Sequence, residues 1–149
     1  MSYIAHAIPL PDPSTNPEFY ASIPSKRFLA WVVDTVLIAI LCLALSILSV
    51  GVGFFFWPIL FVIISFAYRS VTLARGSATW GMAVMAVEVR RHDGERLDWL
   101  TGMLHTLGYM VSMALFLPQV VSVILMLISP RAQGLTDHVL GTVVINRRA

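Results

Sequence analysis

Cysteine and charge are what this chain has least of. Cys42 is the single cysteine, so neither an intrachain disulfide nor a cysteine-built metal cluster can form. Charged residues make up 12% of the 149 residues, whereas a soluble domain carries roughly 25%. The surplus of ten Lys/Arg over eight Asp/Glu is small and dispersed, which argues against a nucleic-acid partner. No phosphate-binding glycine loop and no serine-nucleophile motif occurs, so no enzymatic activity is expected. His6, His92, His105 and His138 lack metal-ligand spacing among themselves or with Cys42, and no cofactor is expected. What fills the chain instead is apolar residues, 58% of the total, gathered in long blocks. The length suits one compact unit, and the blocks make it an integral membrane protein with the lipid bilayer as its first partner.

Residues 1–25 hold Pro9, Pro11, Pro13, Pro17 and Pro24 among small and polar side chains, which predicts an extended tail that buries little. The first basic residue is Lys26, too late for the positive start of a signal peptide, so the tail is expected to stay attached. From Phe28 to Val50 a single charge, Asp34, interrupts 23 residues; at about 1.5 Å per residue this gives roughly 34 Å, a transmembrane helix. Gly51-Val52-Gly53 turns the chain, and 54–68 forms the second, shorter helix, closing at Arg69. The two make a transmembrane hairpin with an uncharged connection.

Residues 69–103 read as a loop outside the hydrocarbon, with five arginines and four acids between Arg69 and Asp98. Within it, Met82 to Val89 suggests an interfacial helix or strand leading into a short strand and an Asp93-Gly94 turn. Residues 104–129 are apolar again but broken by Pro118-Gln119. Two structures fit: one long kinked helix, or two half-length helices in a re-entrant hairpin covered by protein. Lys26 and Arg27 place the N-terminus on the cytoplasmic side. The basic central loop returns there after two crossings, and a third full crossing would carry Arg131, Arg147 and Arg148 outside. Thr142 to Asn146 is also β-prone and a natural partner for Val87 to Arg91. Both arguments favour a broken segment and a cytoplasmic C-terminal tail, 130–149. The expected fold is thus an all-α membrane protein: a two-helix hairpin, a third apolar segment broken at Pro118, and a small cytoplasmic pair of β-strands.

Asp34 is the most informative residue, because a carboxylate inside a membrane helix costs about 2.5–3.5 kcal/mol on insertion scales and needs compensation. Arg27 lies seven residues earlier on nearly the same face, too far for a snug contact. Arg131 and Asp137 form a second polar cluster, directly after the last apolar segment. If that loop folds back, Arg131 against Asp34, or Arg27 against Asp137, would neutralise charge at the membrane boundary. These four residues are either structural ion pairs or parts of a cation or proton site with Asp34 as the exchanging group. Gly108-x-x-x-Ser112 has the spacing that lets membrane helices approach closely.

At Arg27-Phe28-Leu29-Ala30-Trp31-Val32-Val33-Asp34, and again from Leu135-Thr136-Asp137-His138 to Gly141-Thr142-Val143-Val144-Ile145, the chain resembles the RDD family of bacterial membrane proteins. That family is named for one arginine and two aspartates, which fall on Arg27, Asp34 and Asp137. Ser129-Pro130-Arg131-x-Gln133 also matches, so that the resemblance covers about residues 24–146. Gly76 to Ala83 looks like a degraded form of the family's glycine-rich basic segment, without its basic pair. The resemblance implies one membrane domain over 26–149 in the bacterial cytoplasmic (inner) membrane. Some relatives have been proposed as sodium or proton antiporters; others are membrane domains attached to soluble modules. Two functions are therefore expected: an accessory or assembly subunit, or adaptor, of another membrane protein complex, or a small homo-oligomeric antiporter using Asp34.

Overall fold

The structure is a computed structural model that describes residues 10–147; residues 1–9 of the proline-rich tail, His6 among them, and Arg148 and Ala149 lie outside that range. In chain order the elements are α1 (Ile23–Leu48), α2 (Val52–Phe55), α3 (Trp57–Gly76), α4 (Trp80–Val84), β1 (Val87–Arg91), α5 (Trp99–Leu115), α6 (Leu117–Ile128), α7 (Leu135–Leu140) and β2 (Thr142–Asn146). A 3-10 turn at Pro17–Phe19 precedes them.

The helices are inverted relative to those of a water-soluble protein. On α1 the buried positions recur every four residues from Ala30 through Asp34, Ile38 and Cys42 to Ser46, one stripe of the helical surface. Leu29, Val36, Ile40, Leu43 and Ile47 face outward. On α3 the buried residues are Ser65, Arg69, Ser70 and Leu73, and on α5 they are Gly102, His105, Thr106 and Ser112. Apolar side chains outside and polar ones inside is the arrangement a hydrocarbon solvent selects, because helix association there rests on close packing and polar contacts rather than on burying apolar area. The stretch Pro17–Leu48, which includes α1, and α3 itself are each long and apolar enough to cross a membrane.

The second helix does not close at Arg69. It runs on to Gly76, where Ser77, in the left-handed conformation, caps it by donating its N–H to Leu73 O. By hydropathy alone the arginine marks the boundary of the span; Arg69 is instead buried and faces inward, so the helix continues through it. The third apolar segment likewise starts earlier than 104, at Trp99, where the Asp98 side chain accepts from Thr101 N at 2.7 Å. This segment is broken: α5 and α6 are bent by 116°. The break falls on Phe116 (φ +57°), and Pro118 stands in the first turn of α6. Pro118 has no N–H for the carbonyl four residues back, which weakens the helix here, and the chain breaks at Phe116 instead of continuing as one kinked helix.

β1 and β2 pair antiparallel in the register Val87↔Asn146, Val89↔Val144, Arg91↔Thr142, over the spans expected from the sequence. Because these strands are neighbours, the α5–α6 pair leaves from the sheet and returns to it. Val87, Val89 and Val144 pack with Ile23, Leu73, Met82, Leu97 and Ala132 in the main apolar core. In the described part of the N-terminal tail, 10–22, only Pro11 and Tyr20 are buried, but Tyr20 anchors the segment to the sheet instead of leaving it free. Tyr20 is buried, its hydroxyl donates to Pro11 O at 2.6 Å, and its ring joins Leu10, Phe19, Val143 and Ile145. A turn held by Asp12, whose carbonyl accepts from Asn16 N at 2.8 Å, reverses the chain, and Asn146 at the end of β2 donates to Glu18 O and Ala21 O; the phenol supplies both apolar area and a satisfied polar tip.

Candidate functional site: two buried carboxylates on one cavity

Asp34 sits in the middle of the inward stripe of α1 and is 1% exposed. Its Oδ1 accepts from Tyr68 Oη at 2.7 Å and from Gly81 N at 2.9 Å. Its Oδ2 accepts from Thr79 Oγ1 at 2.7 Å and lies 3.5 Å from Arg69 Nη1. The donors come from α3 and from the start of α4, so a single side chain ties three elements together. The local sequence makes this possible. Thr79 caps α4 by accepting from Met82 N at 3.2 Å. Gly81 leaves room for α1, since a β-carbon there would collide with Ala30 O and stand 2.8 Å from Asp34 Oδ1.

Asp137, fully buried on α7, is the second centre. Arg27 Nη1 forms a direct ion pair with its Oδ2, which also accepts from Gly134 N at 3.0 Å. Oδ1 accepts from Thr142 Oγ1 at 2.8 Å and from His105 Nε2 at 3.0 Å, which puts a ring proton on Nε2. Burial by itself would raise the Asp137 pKa, but the Arg27 charge and the His105 hydrogen bond outweigh it and hold the carboxyl well below the usual range. Here α1, α5, α7 and β2 meet.

Of the four residues singled out in the sequence, the structure brings Arg27 and Asp137 together and leaves Arg131 away from Asp34. The place foreseen for Arg131 is taken by Arg69, while the charge of Arg131 acts on Asp12 and Tyr20. In the sequence alone Tyr68 has no assigned role; Thr79, Gly81 and Thr142 fall within the segments that carry the resemblance, and His105 among the histidines without metal-ligand spacing, none of them assigned to a carboxylate. Arg69 carries a usable signal, a cation at the end of an apolar run with an unmatched acid on the preceding helix, but the same position also reads as a helix boundary. His105 follows Asp98 by two helical turns at the start of an apolar run and carried no such signal. Gly108 of the small-residue motif packs against α7, where a β-carbon would stand 2.6 Å from Thr136 Cγ2.

Both centres line one cavity of about 380 Å³. Its polar wall includes Arg27, Asp34, Arg69, His105, Tyr109 and Asp137, and its apolar wall includes Phe28, Met82, Met113, Val123 and Met126. Arg69 packs over the Tyr109 ring at 4.5 Å, and Tyr109 Oη accepts from Trp31 Nε1 at 2.6 Å. Among the described residues no group of three His, Cys, Asp or Glu is placed to hold a metal ion.

Comparison with curated proteins and with solved structures finds no match. The model of the RDD family matches residues 21–141, a stretch that takes in Arg27, Asp34 and Asp137 together with Arg69, Thr79, Gly81 and His105. Since that match spans well over half of the chain, the protein belongs to the RDD family.

Proposed function

We propose that this chain is a non-catalytic membrane protein of the bacterial cytoplasmic membrane that serves as an accessory or assembly subunit, or adaptor, of a larger membrane complex. The observation that carries this reading is the saturation of Asp34. Both oxygens are occupied, three times by hydrogen bonds from uncharged groups and once by Arg69. A carboxylate so engaged fixes the mutual positions of α1, α3 and α4, and an exchanging ion would have to displace donors that are part of the fold. Asp137 does the same for α1, α5, α7 and β2. The outward surface left by this clamping is apolar along α1, α5 and α6, which suits lipid and the helices of a partner. With the sheet and the N-terminus on the cytoplasmic side, the α5–α6 pair dips into the membrane and returns, and the positive residues near both chain ends keep the side the charge bias favours.

One observation favours the alternative, a homo-oligomeric sodium or proton antiporter: Asp34 and Asp137 face the same cavity. Native mass spectrometry of the protein extracted from its own membrane in mild detergent separates the two. A stoichiometric complex with another membrane protein supports the subunit reading. A homo-oligomer that exchanges sodium for protons in liposomes, and loses this with Asp34→Asn while assembling normally, refutes it.

A further inference from the structure

The cavity holds more hydrogen-bond donors than its own acceptors can use. Asp137 accepts four hydrogen bonds and is filled, while Asp34 accepts three, and the remaining site on its Oδ2 faces Arg69 Nη1 at 3.5 Å without a hydrogen bond. Arg69 is 7% exposed, yet no N–H of its guanidinium makes a hydrogen bond among the described residues, and its Nε is fully buried without a partner. Its two neighbours, Asp34 at 3.5 Å and the Tyr109 face at 4.5 Å, are engaged by charge alone. Leaving a buried, charged donor unsatisfied is costly, and a guanidinium presents its N–H groups in a fork that fits carboxylate or phosphate oxygens. Arg27, on the same cavity, gives a single N–H to Asp137. Asp34 and Asp137 balance the two arginines in charge, but their oxygens are directed to other donors; what the polar wall lacks is a free acceptor for the Arg69 fork.

The rest of the cavity specifies what that acceptor is attached to. Met113, Val123 and Met126 form an adaptable apolar wall. Phe28, which lines the cavity and is 62% exposed, sets a rim on the outward side of the membrane-spanning α1. The volume of about 380 Å³ is within the range of small-molecule sites, about 300–1,000 Å³. We propose that this cavity binds an anionic single-chain amphiphile drawn from the bilayer, a fatty acid or a monoacyl phospholipid, with its carboxylate or phosphate accepting from Arg69 and its chain along the methionine wall towards Phe28. The ligand would complete the fold's polar network, a role separate from docking to a partner complex.

Trp31 lies on the cavity wall and reports occupancy. In a variant with Trp57, Trp80 and Trp99 replaced by Phe, brominated stearic acid is titrated against Trp31 fluorescence in detergent, beside brominated stearyl alcohol and inorganic phosphate. The expected result is saturable quenching by the acid, with the alcohol weaker by about tenfold or more, the loss of one charge-assisted interaction. Phosphate alone should fail to displace the acid. Arg69→Gln should weaken the acid to the level of the alcohol. Val123→Phe, which fills the apolar wall without touching either carboxylate cluster, should weaken both chains, and it keeps the test decisive if Arg69→Gln does not fold. Equal quenching by acid and alcohol, or titrations unchanged by Val123→Phe, would overturn the proposal. Displacement by phosphate at matching concentration would also overturn it, by reducing the site to one for a free anion.

Discussion

Arg27 on α1 and Asp137 on α7, 110 residues apart in sequence, form a direct ion pair with the aspartate fully buried and the arginine side chain 14% exposed. Asp34 and Arg69 form the second long-range pair; the pairs join α1 to α7 and to α3, and the other donors to the two carboxylates bring in α4, α5 and β2. A buried pair of this kind adds little stability over a well-packed apolar substitute, yet breaking one partner leaves an uncompensated charge. Its main effect is on which arrangement of helices is allowed.

Replacing Asp137 by Asn keeps the shape and removes the charge, which leaves Arg27 buried and unpaired. The expected loss is about 3–5 kcal/mol of stability, read as a fall in the thermal midpoint of the detergent-solubilised protein. The double variant Arg27→Met, Asp137→Leu should recover a good part of it. A single Asn variant as stable as the wild type would show that the pair does not hold α7 in place.

Acid should loosen the same contact. The folded-state pKa of Asp137 lies below its ordinary value of 3.8, so its contribution is complete above that value and is lost progressively as the pH falls below it. Asp12 and Asp98 shift in the same direction at the surface, held down chiefly by hydrogen bonds from Ser14 and Thr101. They are present in Asp137→Asn as well. The difference in melting temperature between wild type and Asp137→Asn should therefore shrink from pH 6 towards about pH 2, and a constant difference would contradict this.

Two glycines test the approach of α4 to α1. At Gly81 an added methyl meets Ala30 O and the Asp34 carboxylate, whereas at Gly76 nothing lies within 4 Å. Gly81→Ala is expected to cost about 1–3 kcal/mol by overpacking. Gly76→Ala, at the end of α3, should be neutral or stabilising by up to about 1 kcal/mol. Thermal melts of the two variants side by side decide it, and equal midpoints would mean that α4 moves away without consequence.

Asp34→Asn bears on function as well as on fold. The amide keeps the shape and one acceptor oxygen, enough for Tyr68 and Gly81, but turns an NH2 group towards Thr79 and leaves Arg69 without its counter-charge. Under the subunit reading the yield in membranes and the assembly with partners fall together. Quantitative immunoblotting of membranes, with co-purification, measures both.

Much of this architecture is legible in the residues. Hydropathy marks α1 and the core of α3, Pro118 marks the neighbourhood of the break, and β-branched residues mark both strands, since each signal is carried by residues adjacent in the chain. The site is only partly legible. The motif ends point to Arg27, Asp34 and Asp137, but His105 and Thr79 look like ordinary polar residues until other elements are brought against them.

By itself the sequence determined that the chain belongs in a membrane, where its apolar segments begin to break, and which strands can pair, because backbone hydrogen bonding and transfer out of water act over a few residues at a time. The tertiary structure decided which cation answers Asp34, how far α3 extends past Arg69, and that the proline-rich segment before α1 packs against β2 instead of lying free. Those outcomes depend on how side chains from distant helices converge at a few ångströms. In a low-dielectric interior the pairing with the most complete set of donors prevails, and no local pattern encodes it.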